Sequence, residues 1–354
     1  MPIPAATTAP AYPPKPRPGD RVAVLSPSSG LPGLLPLPYE LGLARLTEEF
    51  GLLPVEYPAT RKMGATAQER AADLHAAFAD PDITAVFASI GGNDQLTVLP
   101  HLDREVFRAH PKPFFGYSDN TNLLACLHST GIVGFHGATV MCELGRPGAM
   151  HPLTRESLRA ALFTPGPYEL RPAAHYRDED RDWADPDTFA AEPPVWPGGG
   201  WHWHGPERVV EGISWGGSLG PLSWMLMADR EIPAGLAASD GGVLFLETSE
   251  ALPSADEVYF VLRSMGERGL LRRFPALLMG RPKAWSRDRP NSREAKAAYR
   301  REQRAAVLRA LAAYAPDTLV VFDVDLGHTD PQLVIPYGGT VRVDGAARRI
   351  TVTY

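Results

Sequence analysis

The chain has 354 residues, enough for two domains at roughly 100–200 residues each. Its 35 basic residues against 41 acidic ones give a net charge of -6, which excludes the basic field that a nucleic acid polymer requires. Only Cys126 and Cys142 occur, too few for a disulfide framework, and they point to a reducing compartment, the cytoplasm.

The Pro-rich lead shows no charged segment followed by an apolar run, and no apolar run reaches ~18 residues, so neither an export signal nor a membrane span is expected. Residues 21–30 read as a short buried strand ending in small residues, the opening of an α/β sheet. Helix-spaced apolar residues follow over 39–50, and a second helix over 67–79 stops at Asp80-Pro81. Alternating strands and helices imply a parallel sheet. The strand 84–90 runs into Gly91-Gly92-Asn93-Asp94, and a helix through Leu96, Leu99 and Leu102 is expected next. Paired glycines let backbone amides approach a ligand. Neither Gly-x-Gly-x-x-Gly nor Gly-Lys-Ser/Thr is present, so no nucleotide cofactor is expected.

Phe114-Phe115-Gly116-Tyr117-Ser118-Asp119 is a buried strand that breaks into a helix start. A serine on such a sharp turn projects its hydroxyl from the sheet edge, which makes Ser118 a candidate nucleophile; an N-cap role for Ser118 or Asp119 is the alternative. The amides of Gly92 and Asp119, at neighbouring strand ends, are candidates for an oxyanion hole. His136, in the strand 131–137, is a reserve base, although a histidine there is more readily a hydrogen-bonded structural residue.

Residues 166–206 turn to Pro, Gly, Asp and Trp and read as a linker or lid between an N-terminal domain over 1–165 and a C-terminal domain over 207–354. Its tryptophans, Trp183, Trp196 and Trp201 among them, either offer flat faces to an aromatic ligand or pin the loop. His202 and His204 have no third ligand nearby, so no metal is expected.

In the second half Gly216-Gly217-Ser218 precedes an apolar helix, and the strand 243–247 ends in Glu247, a carboxylate that needs a partner if buried. A helix over 255–266 and a strand over 276–281 follow, and the charged run 285–304 reads as a solvated helical face. The strand 318–325 leads into Leu326-Gly327-His328-Thr329, which makes His328 the best-placed base. Segments 332–336, 340–343 and 350–353 read as a hairpin completing this half's sheet.

Ser118, Glu247 and His328 stand in the order Ser, Glu, His, each at a strand end. Together with Ile90-Gly91-Gly92-Asn93, Gly216-Gly217-Ser218-Leu219, Leu244-Phe245-Leu246-Glu247 and Ile335-Pro336-Tyr337-Gly338, this pattern resembles the LD-carboxypeptidase serine peptidases over nearly the whole chain. That family includes muramoyl-tetrapeptide carboxypeptidases and microcin C self-immunity proteins. The resemblance implies an α/β fold with an N-terminal Rossmann-like parallel sheet, a smaller C-terminal β-rich α/β domain and the active site between them, in homodimers. It implies Ser118 as nucleophile, His328 as base, Glu247 as its orienting acid, Gly92 and Asp119 as oxyanion hole, and no metal or cofactor. Ser218 stands where the family has asparagine, so a substrate contact at Ser218 would be altered.

The Trp-rich stretch and the insertion 286–304 look more like the microcin C branch, where loop tryptophans such as Trp183, Trp196 or Trp201 would stack on a nucleobase. The expected function is a serine carboxypeptidase hydrolysing an amide bond of a peptidyl- or aminoacyl-nucleotide. L,D-cleavage of a murein tetrapeptide is the alternative, and a non-catalytic small-ligand binding protein is the rival from another class.

Overall fold

The computed structural model describes residues 11–232 and 240–354, so the first ten residues of the Pro-rich lead lie outside the described residues. The first half supplies strands β1 (Arg21–Leu25), β2 (Leu53–Glu56), β3 (Ile83–Ala88), β4 (Phe114–Gly116) and β5 (Gly134–His136). Between and after them stand helices α1 (Pro36–Glu48), α2 (Ala67–Ala79), α3 (Arg104–Ala109), α4 (Thr121–Ser129) and α5 (Pro152–Phe163). The five strands pair in parallel in the order β5-β4-β3-β1-β2. Val22, Val24, Val86, Phe87, Phe114 and Phe115 are fully buried, as a sheet covered on both faces demands.

Local chemistry sets the helix ends. Thr66 and Glu69 form a reciprocal capping box that starts α2, satisfying two otherwise unpaired amides. Leu96, Leu99 and Leu102 do not share one helix. Two short 3-10 turns, Gln95–Thr97 and Leu99–His101, stand there, because Pro100 has no amide to continue an α-helical ladder. The chain passes from β1 outward to β2 and returns to β3 on the other side of β1. The carboxyl ends of β1 and β3 therefore frame the crevice where open α/β sheets bind ligands.

The remaining strands are β6 (Pro167–Leu170), β7 (His175–Tyr176), β8 (Trp196–Pro197), β9 (His202–His204), β10 (Val209–Ser218), β11 (Val243–Glu247), β12 (Ala276–Gly280), β13 (Leu319–Val324), β14 (Ile335–Tyr337), β15 (Thr340–Asp344) and β16 (Arg349–Thr353). Helices α6 (Pro186–Phe189), α7 (Leu219–Ala228), α8 (Ala255–Glu267) and α9 (Arg293–Tyr314) lie among them. Eight of the strands form a second sheet in the order β6-β16-β15-β10-β11-β12-β13-β9, parallel from β10 to β13 and antiparallel elsewhere.

Two expectations are corrected. The segment around Ile335 does not extend the second sheet: β14 pairs antiparallel with β5, Ile335 opposite His136, and becomes the sixth strand of the first sheet. Ile335, Pro336 and Tyr337 are all buried, which suits an interior site and not a half-solvated hairpin, so the hairpin is β15 with β16. The charged run is not simply a solvated face either. Lys296 on α9 is only 4% exposed and donates to Asp178 at 2.9 Å and Glu179 at 2.7 Å. Arg300 also pairs with Asp178, and Tyr176 lies between the guanidinium groups of Arg281 and Arg300 at 4.4 and 4.9 Å. Lys283 holds Asp180 at 2.6 Å and Arg287 holds Asp182 at 2.6 Å. Residues 178–182 are thus clamped by the cations that follow β12.

Breaking a buried ion pair from one side leaves an uncompensated charge. Lys296→Met is expected to cost about 3 kcal/mol, read as a lower urea midpoint, and to speed proteolytic nicking within 175–192.

Candidate active site

Ser118 stands one residue, Tyr117, beyond β4 and opens the 3-10 turn Ser118–Asn120 that leads into α4. Its φ of 60° is left-handed, a conformation that costs an L-residue about 1–2 kcal/mol. The neighbouring strand end makes room for it: a Cβ on Gly91 would lie 2.8 Å from the Ser118 Cβ and 2.9 Å from its Oγ. The same absent methyl would sit 3.5 Å from the Asp119 amide, so that amide and the Gly91-Gly92 backbone adjoin beside the serine.

The Asp119 side chain faces away from this work. It is fully buried and accepts hydrogen bonds from the Asp94 and Gln95 amides, both at 2.8 Å, from Asn122 Nδ2 at 3.0 Å and from the Ser28 hydroxyl. One carboxylate therefore ties together the loops after β1, β3 and β4. Burial pushes its pKa up against these hydrogen bonds.

Glu247, the last residue of β11, is fully buried, and its Oε2 lies 2.6 Å from His328 Nδ1 in the turn after β13. Two glycines clear the space it occupies. A Cβ on Gly280 would come within 2.8 Å of the Glu247 Cβ, and one on Gly327 within 2.6 Å of Oε2. Burial alone would raise the Glu247 pKa, but the charge and hydrogen bond of His328 outweigh it and hold the carboxyl below its usual value. Burial would likewise lower His328, yet Glu247 and Glu250 bring it up to about 9. The other imidazole nitrogen, Nε2, stands 3.4 Å from Glu250 Oε2.

Ser118, Gly92 and His328 line one cavity of about 430 Å³, which also takes in Trp183, Glu250 and Lys283. The structure thus brings together Ser118, His328 and the edge of Gly92, with Glu247 and Asp119 directly behind them. Of the tryptophans, Trp183 lines the cavity. Trp201 instead donates its Nε1 hydrogen to buried Asp325 at 2.9 Å, and the Trp196 ring lies 5.1 Å from Lys296 Nζ, so both pin the segment that carries them.

Ser218 is buried and does not line the cavity. Its amide donates to Thr121 Oγ1 at 3.1 Å, joining β10 to α4, and its side chain stands opposite Glu247 and helps keep that carboxylate ionised. His136 is enclosed between Tyr117 and Phe245, and burial drops its pKa to about 4, which leaves it a neutral core residue. His202 and His204 lie on edge strand β9, with His202 3.5 Å from Asp323. Among the described residues no group of three His, Cys, Asp or Glu side chains is placed to hold a metal ion, and no helix is long and apolar enough to cross a membrane.

Sequence reasoning missed Ser28, Glu250 and Lys283. A second carboxylate three residues after Glu247, in Glu-Thr-Ser-Glu, was a usable signal for Glu250. Nothing in the sequence around Lys283 distinguishes it from a surface lysine.

Ser118→Gly relieves the left-handed strain while removing the hydroxyl. It should abolish labelling by a serine-directed fluorophosphonate yet stabilise the fold by about 1 kcal/mol relative to Ser118→Ala, measured by urea unfolding. Because folding raises the His328 pKa from 6.5 to about 9, the stability this residue contributes is complete below the lower value and fades as pH rises through the upper one. The stability difference between wild type and His328→Asn should therefore shrink steadily from about pH 6.5 to about pH 9.5; a difference that grows over that range would contradict the assignment.

Residues 22–137 match the LD-carboxypeptidase N-terminal domain and residues 211–343 the LD-carboxypeptidase C-terminal domain. The microcin C7 self-immunity protein MccF of Escherichia coli is 26% identical over 300 residues, covering 81% of this chain and 79% of its own. The murein tetrapeptide carboxypeptidase of Pseudomonas aeruginosa is 37% identical over 103 residues, 29% of this chain and 33% of its own. Among solved structures, MccF in complex with aspartyl sulfamoyl adenosine superimposes with a TM-score of 0.83 at 23% identity, covering 98% of this chain and 99% of that one. Matched in both halves, the chain belongs to the LD-carboxypeptidase family of peptidases.

Proposed function

We propose that this peptidase is a serine carboxypeptidase that cleaves an amide bond in a peptidyl- or aminoacyl-nucleotide through an acyl-enzyme. The observation that carries the reading is the 2.6 Å pair of Glu247 and His328 opening onto the cavity that holds Ser118. Ser118 Oγ attacks the amide carbonyl as His328 Nε2 takes its proton, and Glu247 fixes the tautomer and offsets the imidazolium charge. The amides of Gly92 and Asp119 receive the oxyanion, each contributing on the order of 3–4 kcal/mol. The imidazolium then protonates the leaving nitrogen as the C–N bond breaks, and water releases the acyl group by the same route in reverse.

The nucleotide part rests on Trp183, which offers an aromatic face, and on Arg146, Arg177 and Arg181 in the same cavity, whose guanidinium groups suit phosphate. The bound aspartyl sulfamoyl adenosine of MccF supports the same chemistry. In this reading the protein works in the cytoplasm as a homodimer without a cofactor. Residues 1–165 supply the nucleophile, 207–354 the acid and base, and 166–206 the lid. Murein tetrapeptide is the second reading, since the same arginines suit peptide carboxylates and a murein tetrapeptide carboxypeptidase is among the relatives.

Wild type and Ser118→Ala, given an aspartyl-adenylate analogue and a murein tetrapeptide in parallel, separate these readings. Cleavage of the analogue by wild type alone is the expected result. Cleavage of the tetrapeptide alone would move the enzyme to cell-wall peptides, and cleavage of neither would favour a binding protein.

A further inference from the structure

A histidine that is to take a serine proton needs a free, unprotonated Nε2. In this structure both ring nitrogens of His328 face carboxylate oxygens, Nδ1 at 2.6 Å from Glu247 and Nε2 at 3.4 Å from Glu250. An imidazole between two carboxylates is held as the cation, with a proton on each nitrogen. The resting site is therefore a closed ion pair and not a poised base.

The groups around His328 show what would open it. From the second sheet Glu247, Glu250 and Lys283 face it, and from the first sheet Tyr117 and the neutral His136. Lys283 is already committed to Asp180 at 2.6 Å. Asp180, Glu247 and Glu250 carry three negative charges against the two positive charges of His328 and Lys283, so the cluster has room for one more cation. Glu250 is the member that can receive it: its side chain is 57% exposed and lines the cavity, whereas Glu247 is sealed off.

We propose that Glu250 is the docking carboxylate for an ammonium group carried next to the scissile carbonyl, and that this ammonium displaces His328 Nε2 and so arms the base. The inference deepens the serine carboxypeptidase reading and rests on it. On binding, the substrate ammonium pairs with Glu250, the Nε2 proton of His328 leaves to solvent, and the neutral imidazole turns to Ser118. An α-amine stands one carbon from the carbonyl that Ser118 attacks, so it is the cation such an acyl group brings into the cavity lined by Ser118, His328 and Glu250. The substrate class is thus narrowed to acyl donors with a free amine, and N-acylated ones are disfavoured. With the site empty, the raised pKa of His328 limits wasteful activation of Ser118 near neutral pH.

Glu250→Gln keeps the shape and removes the charge, at a position exposed enough to spare the fold. Two readouts on the full chain test the proposal. The first is the ratio of kcat/KM for an aspartyl-adenylate analogue with a free α-amine to that for its Nα-acetyl form. Wild type should prefer the free amine, and Glu250→Gln should lose about tenfold of that preference, whatever its effect on both rates. The second is the pH midpoint for fluorophosphonate labelling of Ser118, which should fall by about one unit in Glu250→Gln. An unchanged ratio or an unmoved midpoint overturns the proposal. If wild type is labelled but cuts neither analogue, the nucleotide reading falls while the midpoint still decides the role of Glu250. If wild type is not labelled at any pH, the serine reading falls and this inference with it.

Discussion

Glu247 and His328 form a bond between a carboxylate shut away from water and an imidazole presented by a different strand end. A buried charge of this kind costs several kcal/mol unless a partner meets it at close range, so the pair constrains everything that places it. Gly280 and Gly327 stay bare so that the Glu247 side chain fits, β11 and β13 flank β12 in parallel so that both strand ends open the same way, and Ser218 stands opposite in register. Across the cavity, the Asp119 carboxylate does the corresponding work for the first sheet by fastening three loops around the serine. Two buried acids, one per sheet, thus hold the two sides of the site to a fixed shape, and Thr121 joins the sides through its hydrogen bond to Ser218.

The segment 175–183 is held by a different arrangement of charge. Its acids, Asp178 to Asp182, meet basic side chains from the loop after β12 and from α9, with Tyr176 packed between two guanidinium groups. Pairs so arranged fix the irregular backbone of 177–183, which follows the two-residue strand β7, the partner of β8. Trp183 and Arg181 line the cavity, and Arg181 is itself tied to the Ala191 carbonyl at 2.9 Å and to that of Glu192.

Much of this was legible in the sequence, and for definite reasons. Parallel strands declared themselves by continuous apolar runs such as 84–88 and 243–246, and Ser118, Glu247 and His328 by their positions at the ends of such runs. What stayed hidden depends on contacts between distant segments. Ile335-Pro336-Tyr337 reads as a strand from its residues, but its partner β5 lies two hundred positions upstream and no periodicity names it. Lys296 carries the same signal as any helical surface lysine, and only the arrival of Asp178 and Glu179 buries it. Trp196, Trp201 and Ser218 are tied to substrate by the resemblance to the microcin C branch and to the family's Gly-Gly-Asn turn, which says nothing of their neighbours in the fold. The Trp196 ring faces Lys296, Trp201 Nε1 donates to Asp325 and the Ser218 backbone amide donates to Thr121.

The placement of β14 has a consequence for biosynthesis. The sheet that bears Ser118 is finished by residues 335–337, which leave the ribosome about two hundred residues after β5. At about 5–20 residues per second, β5 waits roughly 10–40 s with an open edge, exposed to pairing with a neighbouring nascent chain. Its length of only three residues shortens that edge. Glu247 and His328 also emerge after Ser118, so a chain made only as far as the first sheet carries Ser118 without the buried pair that shares its cavity.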